Sequence, residues 1–379
     1  MNILCFTGTR ADYGIYRPLL LELERDPDIR LKLVATGMHV LDEYGHTLNQ
    51  IEKDGLTVAA APSILTKGDS TYAMSQSVGL GLLYFSDAIR YHKPDFVLLL
   101  GDRGEMLAAA IAAHYQNVGI VHLHGGECSG SADDMVRHAI STFAHLHLVS
   151  NADAMQFLVK RGEEAWRIAP VGSLRKTEVQ RIYSLPQTER DRLITFYGLE
   201  SSHPKILLAM HPDSKERTPF ETQIDSVLNA LRSFAKTQFL VIGPNSDAGG
   251  EVFKERLQDF VQESPLRRYY ASVPSSDYLF LLSKADLLVG NSSSGIIEAP
   301  FFQLPFVNVG ARQRNRTHAA NVIHVDYNEA DIQEAVSVSL AASRKSITAN
   351  PYDLCECPEK EIVNVLKRLS RHPQLLNKR

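Results

Sequence analysis

Cysteine is scarce in this chain of 379 residues. Cys5, Cys128, Cys355 and Cys357 are the four, and no two form a C-x-x-C pair. That spacing excludes a disulfide-stapled scaffold and a cysteine zinc site, and four reduced thiols are expected. Long apolar runs are missing too. None reaches the roughly 18–20 residues that a membrane span needs. Charge of one sign does not dominate: the net charge is −4, with no block of Lys and Arg. Without a concentrated basic face, no nucleic-acid partner is expected. Neither G-x-G-x-x-G nor a Walker loop occurs, which removes the usual nicotinamide and ATP sites. H-E-x-x-H and H-x-x-x-H are absent, and His122-x-His124 alone does not make a metal site. A strand follows Met1 almost at once, with no basic and apolar leader before it, so a cytoplasmic protein is expected.

What the chain does have is alternation. Apolar residues are 44% of it, enough to build the cores of about two domains at roughly 150–200 residues each. Short apolar runs such as Phe96–Leu100 read as strands buried on both faces. Segments of helical spacing separate them: Ile15–Arg25, Leu41–Asp54, Ser75–Tyr91, Met106–Gln116 and Met135–Leu146. The same rhythm returns after residue 204. The polar, poorly patterned stretch Gly172–Glu200 lies between the two series. The class predicted is α/β, with two doubly wound parallel sheets. The domains expected are 1–172, joined by the C-terminal helix 361–379, and 173–360. Ligands bind at the carboxyl ends of strands in such sheets, and with two domains the site is expected in the cleft between them.

The chemistry-bearing residues cluster after strands. Thr7–Gly14 follows the first, where Arg10 can fork onto phosphate oxygens at a helix start or simply be solvated. Gly101-Asp102-Arg103 ends an apolar strand, so Asp102 is either a helix cap or a carboxylate held at the site. The stretch His122–His138 is the richest. Its His124, Glu127, Asp133, Asp134 and Arg137 exceed what capping and an Asp133–Arg137 helical pair require. In the second half His211 precedes Pro212 at a strand end. Gly290–Glu298 offers the hydroxyls of Ser292 and Ser293 to a phosphate, and Glu298 to a ribose.

These segments, with Gly37-Met38-His39, Tyr44-Gly45, Pro244-Asn245 and Gly310–Arg316, occur in an order that resembles the UDP-N-acetylglucosamine 2-epimerases. The likeness is to the hydrolysing branch of sialic acid and related nonulosonate biosynthesis. The resemblance implies a fold like the B-type glycosyltransferases, no metal, no other cofactor, and a homodimer or homotetramer. It implies that UDP leaves by anti elimination and that water then adds, giving N-acetylmannosamine. By resemblance Asp102, Asp133, His211, His124 and Glu127 are catalytic. Arg10, His39, Arg137, Asn245, Ser292, Ser293, Glu298 and Arg312 contact the UDP-sugar. The division of proton steps among the acids stays open. Many members carry Glu at the position of His124 and Lys at that of Ile15. The alternative substrate is UDP-2,4-diacetamido-2,4,6-trideoxyglucose, on the way to legionaminic acid; a UDP-sugar glycosyltransferase of the same fold is a third reading.

Overall fold

The computed structural model describes residues 1–42, 47–66, 71–130, 133–199, 202–244, 249–342 and 349–378. The chain divides into two compact units. One gathers Met1–Cys128, Ala132–Thr177 and Tyr352–Arg379; the other gathers Ser129–Ser131 and Glu178–Pro351. In the first unit the order is β1 (Asn2–Thr7), α1 (Arg10–Arg25), β2 (Arg30–Ala35), α2 (Leu48–Lys53), β3 (Val58–Ala60), α3 (Thr71–His92), β4 (Phe96–Leu100) and α4 (Gly104–Tyr115). Then come β5 (Gly119–Leu123), α5 (Asp133–Phe143), β6 (Leu146–Val149), α6 (Ala152–Lys160) and β7 (Ile168–Pro170). After α7 (Arg175–Tyr183) the second unit has α8 (Gln187–Phe196), β8 (Lys205–Ala209), α9 (Phe220–Arg232), β9 (Gln238–Ile242), α10 (Gly250–Gln262) and β10 (Arg267–Tyr270). It continues through α11 (Ser275–Lys284), β11 (Leu287–Gly290), α12 (Ser294–Ile297), β12 (Phe306–Val309), β13 (Val322–Val325) and α13 (Glu329–Ala341). Helix α14 (Pro358–Leu369) returns to the first unit and packs on α1.

Both sheets are parallel, as the alternation of strands and helices predicts, and β13 pairs parallel to β12 although no helix separates them. The first runs β3-β2-β1-β4-β5-β6-β7 and the second β10-β9-β8-β11-β12-β13. Strand β4 shows why its sequence is apolar throughout. Phe96, Leu98 and Leu100 enter the core shared with Leu20 of α1 and Leu366 of α14. Val97 and Leu99 point the other way, to Phe85 of α3 and Ala109 of α4. A strand covered by helices on both faces has no side to leave polar. In the second unit Leu208, Val241 and Val289 meet Val227, Phe253 and Val336 of the covering helices in the same manner.

Three segments depart from the sequence reading. Gly172–Glu200 holds two helices, α7 and α8. Their outer faces carry pairs such as Glu189–Arg192, while Val179, Ile182 and Leu193 are buried. Within the two helices these apolar anchors are too few and too widely spaced to show as a stripe. Helix α13 was unassigned because small and hydroxyl residues, Ala335 and Ser339, share its buried face; Asn328 caps it through the N–H groups of Ala330 and Asp331. Among the described residues of the helix expected over Leu41–Asp54, the α-helix is Leu48–Lys53, and a tight 3-10 turn at Gly37–Val40 precedes it.

Candidate functional site

Each sheet reverses its strand order once, between β1 and β4 and between β8 and β11. Loops leaving the carboxyl ends on either side of such a point diverge and open a crevice. Arg10 and Asp102 follow the strands that flank the first of these points, and His211 and Ser292 those that flank the second.

In the first unit, Thr9 caps α1. Its hydroxyl accepts from the Asp12 N–H at 3.2 Å, while the Asp12 carboxylate accepts from the N–H groups of Thr9 at 2.7 Å and Gly8 at 2.9 Å. Arg10 is thereby the first helical residue, and burial lowers its pKa. His39, expected among the ligands, has both ring nitrogens on protein hydroxyls, Thr7 at 3.0 Å and Thr47 at 2.7 Å. It ties the β1 loop to the start of α2, and burial lowers its pKa.

Gly101 turns the chain out of β4 with φ +74°. Asp102 is not a helix cap. Arg103 holds the N-cap position of α4, without a side-chain cap bond. The Asp102 carboxylate pairs instead with Arg137, whose buried guanidinium also donates to Asp134 and to the Glu127 carbonyl. Burial works against the charge of Arg137, but Asp102, Glu127 and Asp134 together raise its pKa. Arg137, expected to face the substrate, thus joins the carboxylates of Asp102 and Asp134 to the Glu127 carbonyl. On α5 the ion pair is i,i+3, with Asp134, while Asp133 stands exposed in the first turn. Arg103 is held in the same way, 2.6 Å from Glu105, and Glu105, Asp12 and Asp102 raise its pKa against the effect of burial.

His124 adopts φ +59°, the left-handed region that a non-glycine residue enters only under constraint. Its N–H donates to the Leu148 carbonyl at 3.0 Å. The two glycines after it are required by space. A Cβ on Gly125 would sit 2.7 Å from His122 Nδ1 and 2.8 Å from Ser141 Oγ, and one on Gly126 would sit 2.6 Å from the Ala154 carbonyl oxygen. Glu127 is buried and accepts from the Ser150 hydroxyl.

In the second unit, His211 follows β8 and Asn291 follows β11. The fully buried Asn291 amide accepts from the His211 N–H at 2.8 Å and donates to the His211 carbonyl at 2.7 Å. Gln223, also buried, accepts from the Asp213 N–H and donates to the Asp213 and Thr218 carbonyls. The turn from His211 to Asp213 is therefore pinned at both ends. Burial lowers the His211 pKa to about 3, with the charge of Arg312 adding to it, so the imidazole is neutral near neutral pH. The Ser292 hydroxyl accepts from Ser294 Oγ at 2.9 Å, and Ser294 Oγ lies 2.6 Å from the Tyr278 hydroxyl. Ser293 precedes the short α12, and the buried Glu298 closes it. Asn245, with Tyr44 and Gly45, lies outside the described residues.

Asn291, Gln223 and Ser141 were not singled out from the sequence. Asn291 stands inside a run read for its serine hydroxyls, and its partner is 80 residues away. Gln223 and Ser141 are helical positions with no local signal. Among the described residues no three His, Cys, Asp or Glu side chains gather as metal ligands, and no helix is long and apolar enough to cross a membrane.

Comparison with known proteins agrees with this architecture. Residues 21–367 match the family described as UDP-N-acetylglucosamine 2-epimerase. The chain is 37% identical to the UDP-N,N'-diacetylbacillosamine 2-epimerase (hydrolyzing) of Legionella pneumophila, covering 100% of this chain and 98% of that protein. It is 33% identical to a UDP-N-acetylglucosamine 2-epimerase of Neisseria meningitidis serogroup B, covering 96% and 95%. Among solved structures, a UDP-GlcNAc 2-epimerase from Neisseria meningitidis bound to UDP-GlcNAc superposes with a TM-score of 0.83 at 18% identity, covering 97% of this chain and 100% of that one. With the fold and matches along nearly its whole length in accord, the chain belongs to the UDP-N-acetylglucosamine 2-epimerase family.

Proposed function

We propose that this protein is a hydrolysing 2-epimerase acting on UDP-2,4-diacetamido-2,4,6-trideoxyglucose. The observation that carries the choice of sugar is the 37% identity, along the entire chain, to a Legionella enzyme of that description. This reverses the order of the two sugars expected from the sequence. UDP-N-acetylglucosamine stays as the second reading, favoured by the 33% match to the Neisseria enzyme.

The C2–H bond is only weakly acidic, so a carboxylate must be oriented against it with water kept out. Asp102 and Asp133 are the acids assigned to protons at the sugar, with Glu127 and His124 beside them. The C2 proton passes to a carboxylate, the C1–O bond breaks, its electron pair leaves with UDP, and a C1=C2 double bond remains. Water then adds its oxygen to C1 and a proton reaches C2 on the opposite face. Negative charge grows on the departing diphosphate, so donors must be aimed at it before it leaves. Arg10, Arg312, Ser292 and Ser293 are assigned there, with Glu298 and Asn245 on the nucleoside. A neutral His211 can donate its ring N–H to a diphosphate oxygen without adding a fixed charge. Arg137 and His39 serve by holding neighbours rather than by touching the ligand.

The test is incubation with each UDP-sugar in deuterated water, followed by proton NMR. The expected result is free UDP with a 2-epimerised free sugar carrying deuterium at C2, formed faster from the diacetamido substrate. Faster release from UDP-N-acetylglucosamine selects the second reading. An epimer that keeps its UDP, or no turnover without an acceptor, overturns both.

A further inference from the structure

Asp102 sits on a turn that should be loose. Gly101 precedes it at φ +74°, and glycine is the residue with most backbone freedom to lose. A reacting carboxylate on such a hinge needs the peptide before it fixed as well as its own oxygens. Strand β5 and helix α5 supply that second hold. His122 is fully buried on β5, and its Nε2 lies 2.8 Å from the Gly101 carbonyl oxygen. A carbonyl only accepts, so Nε2 carries the proton. Nδ1 is then an acceptor, and the Ser141 hydroxyl 3.1 Å away must donate to it. Burial lowers the His122 pKa to about 3, which keeps this neutral tautomer through the neutral range. The Gly101 N–H donates to the Leu123 carbonyl at 3.0 Å, so the peptide groups on both sides of Gly101 are held from β5.

Ser141 lies one turn after Arg137, on the same face of α5. Arg137 grips the Asp102 carboxylate directly, and Ser141 reaches the Gly101 carbonyl through His122. We infer that His122 and Ser141 are positioning residues, which with Arg137 make a two-point clamp from one helix onto the Gly101–Asp102 turn. Gly125 belongs to the same device, because its missing side chain leaves the room in which the His122–Ser141 hydrogen bond lies. The inference rests on Asp102 being a reacting carboxylate, as proposed above.

The test combines kinetics, UDP affinity and a spectrum. His122→Phe keeps an aromatic ring and removes both hydrogen bonds. It should lower kcat about 100-fold, the loss that a displacement near 1 Å produces, while UDP affinity by calorimetry changes less than about 2-fold. His122→Gln restores an N–H donor near the Nε2 position and should recover most of the lost rate. Ser141→Ala should lower kcat by less than His122→Phe. A His122→Phe enzyme within about 2-fold of wild-type kcat overturns the inference, as does an equal loss of UDP affinity and rate. If the variants fail to fold, long-range proton–nitrogen spectra of wild-type protein labelled in histidine still decide. A protonated Nε2 with a bare Nδ1 supports the clamp, and a protonated Nδ1 refutes it. Should the wild type release UDP from no UDP-sugar, the reaction assigned above fails. The same spectrum then reports independently whether His122 holds the turn.

Discussion

The clamp of Asn291 on His211 gives the sharpest quantitative prediction. Its side-chain amide is fully buried and meets both backbone polar groups of His211, at 2.8 and 2.7 Å. Asn291→Ala removes both hydrogen bonds at once from a half-buried N–H and carbonyl. A fully buried group stripped of its partner costs about 1–3 kcal/mol, so the loss for the two should lie in the lower part of about 2–6 kcal/mol, less where a water enters the space left behind. For a unit of this size that lowers Tm by on the order of 10 °C. Asn291→Asp tests the reasoning more severely, because it is isosteric. It still accepts from the His211 N–H, but it turns an oxygen, and a buried charge, toward the His211 carbonyl. Its stability should therefore fall below that of Asn291→Ala. Urea unfolding followed by circular dichroism gives the free energies, and calorimetric titration with UDP reports whether releasing the His211 turn weakens nucleotide binding, as expected. A loss below about 1 kcal/mol for the alanine variant, or an aspartate variant as stable as the alanine one, refutes the accounting.

Three further outcomes follow from the same structure. Asp133→Asn should abolish UDP release with the fold intact, checked by NMR of the products beside circular dichroism; a well-folded variant of wild-type rate removes Asp133 from the reaction. The Lys378 ammonium donates to the Ser141, Thr142 and Ala144 carbonyls at the end of α5 and pairs with Glu163 at 2.6 Å. Lys378→Met should cost about 3 kcal/mol in urea unfolding, since it leaves Glu163 and three carbonyls exposed to each other in a half-buried site. Acid should destabilise the fold through its neutral imidazoles. Burial lowers the pKa of His122 to about 3 and of His145 to about 4, so below pH 6.5 the unfolded chain binds protons that the folded one refuses. Stability is then full above the unfolded value and falls as pH drops, by about 2 kcal/mol for each of these groups at about pH 5. His122→Gln should show a shallower loss between about pH 6.5 and pH 5; an unchanged slope means that His122 takes up its proton in the fold as readily as in the unfolded chain.

The two parallel sheets were legible in the chain because burial on both faces removes polar residues from a strand, and runs such as Phe96–Leu100 and Leu287–Val289 show it without any tertiary information. Helix α8 was not, since its hold on the fold comes from single apolar residues such as Leu193 among charges that pair with one another. The loops at strand ends were equally legible. Glycines with acids and a guanidinium after an apolar run have few other uses, and the order of such segments pointed to the family.

What those residues do within the loops depended on strand order, which no local pattern carries. Asp102 read either as a cap or as a held carboxylate, and the structure pairs it with Arg137 from α5, across 35 residues. His211 and Asn291 meet only because β8 and β11 are neighbours. The sequence by itself determined which residues stand at the ends of which strands, because hydrophobic burial is written residue by residue. Only the tertiary structure decided which of them are aimed outward and which are spent on one another, because a hydrogen bond between distant segments leaves no periodic trace in either.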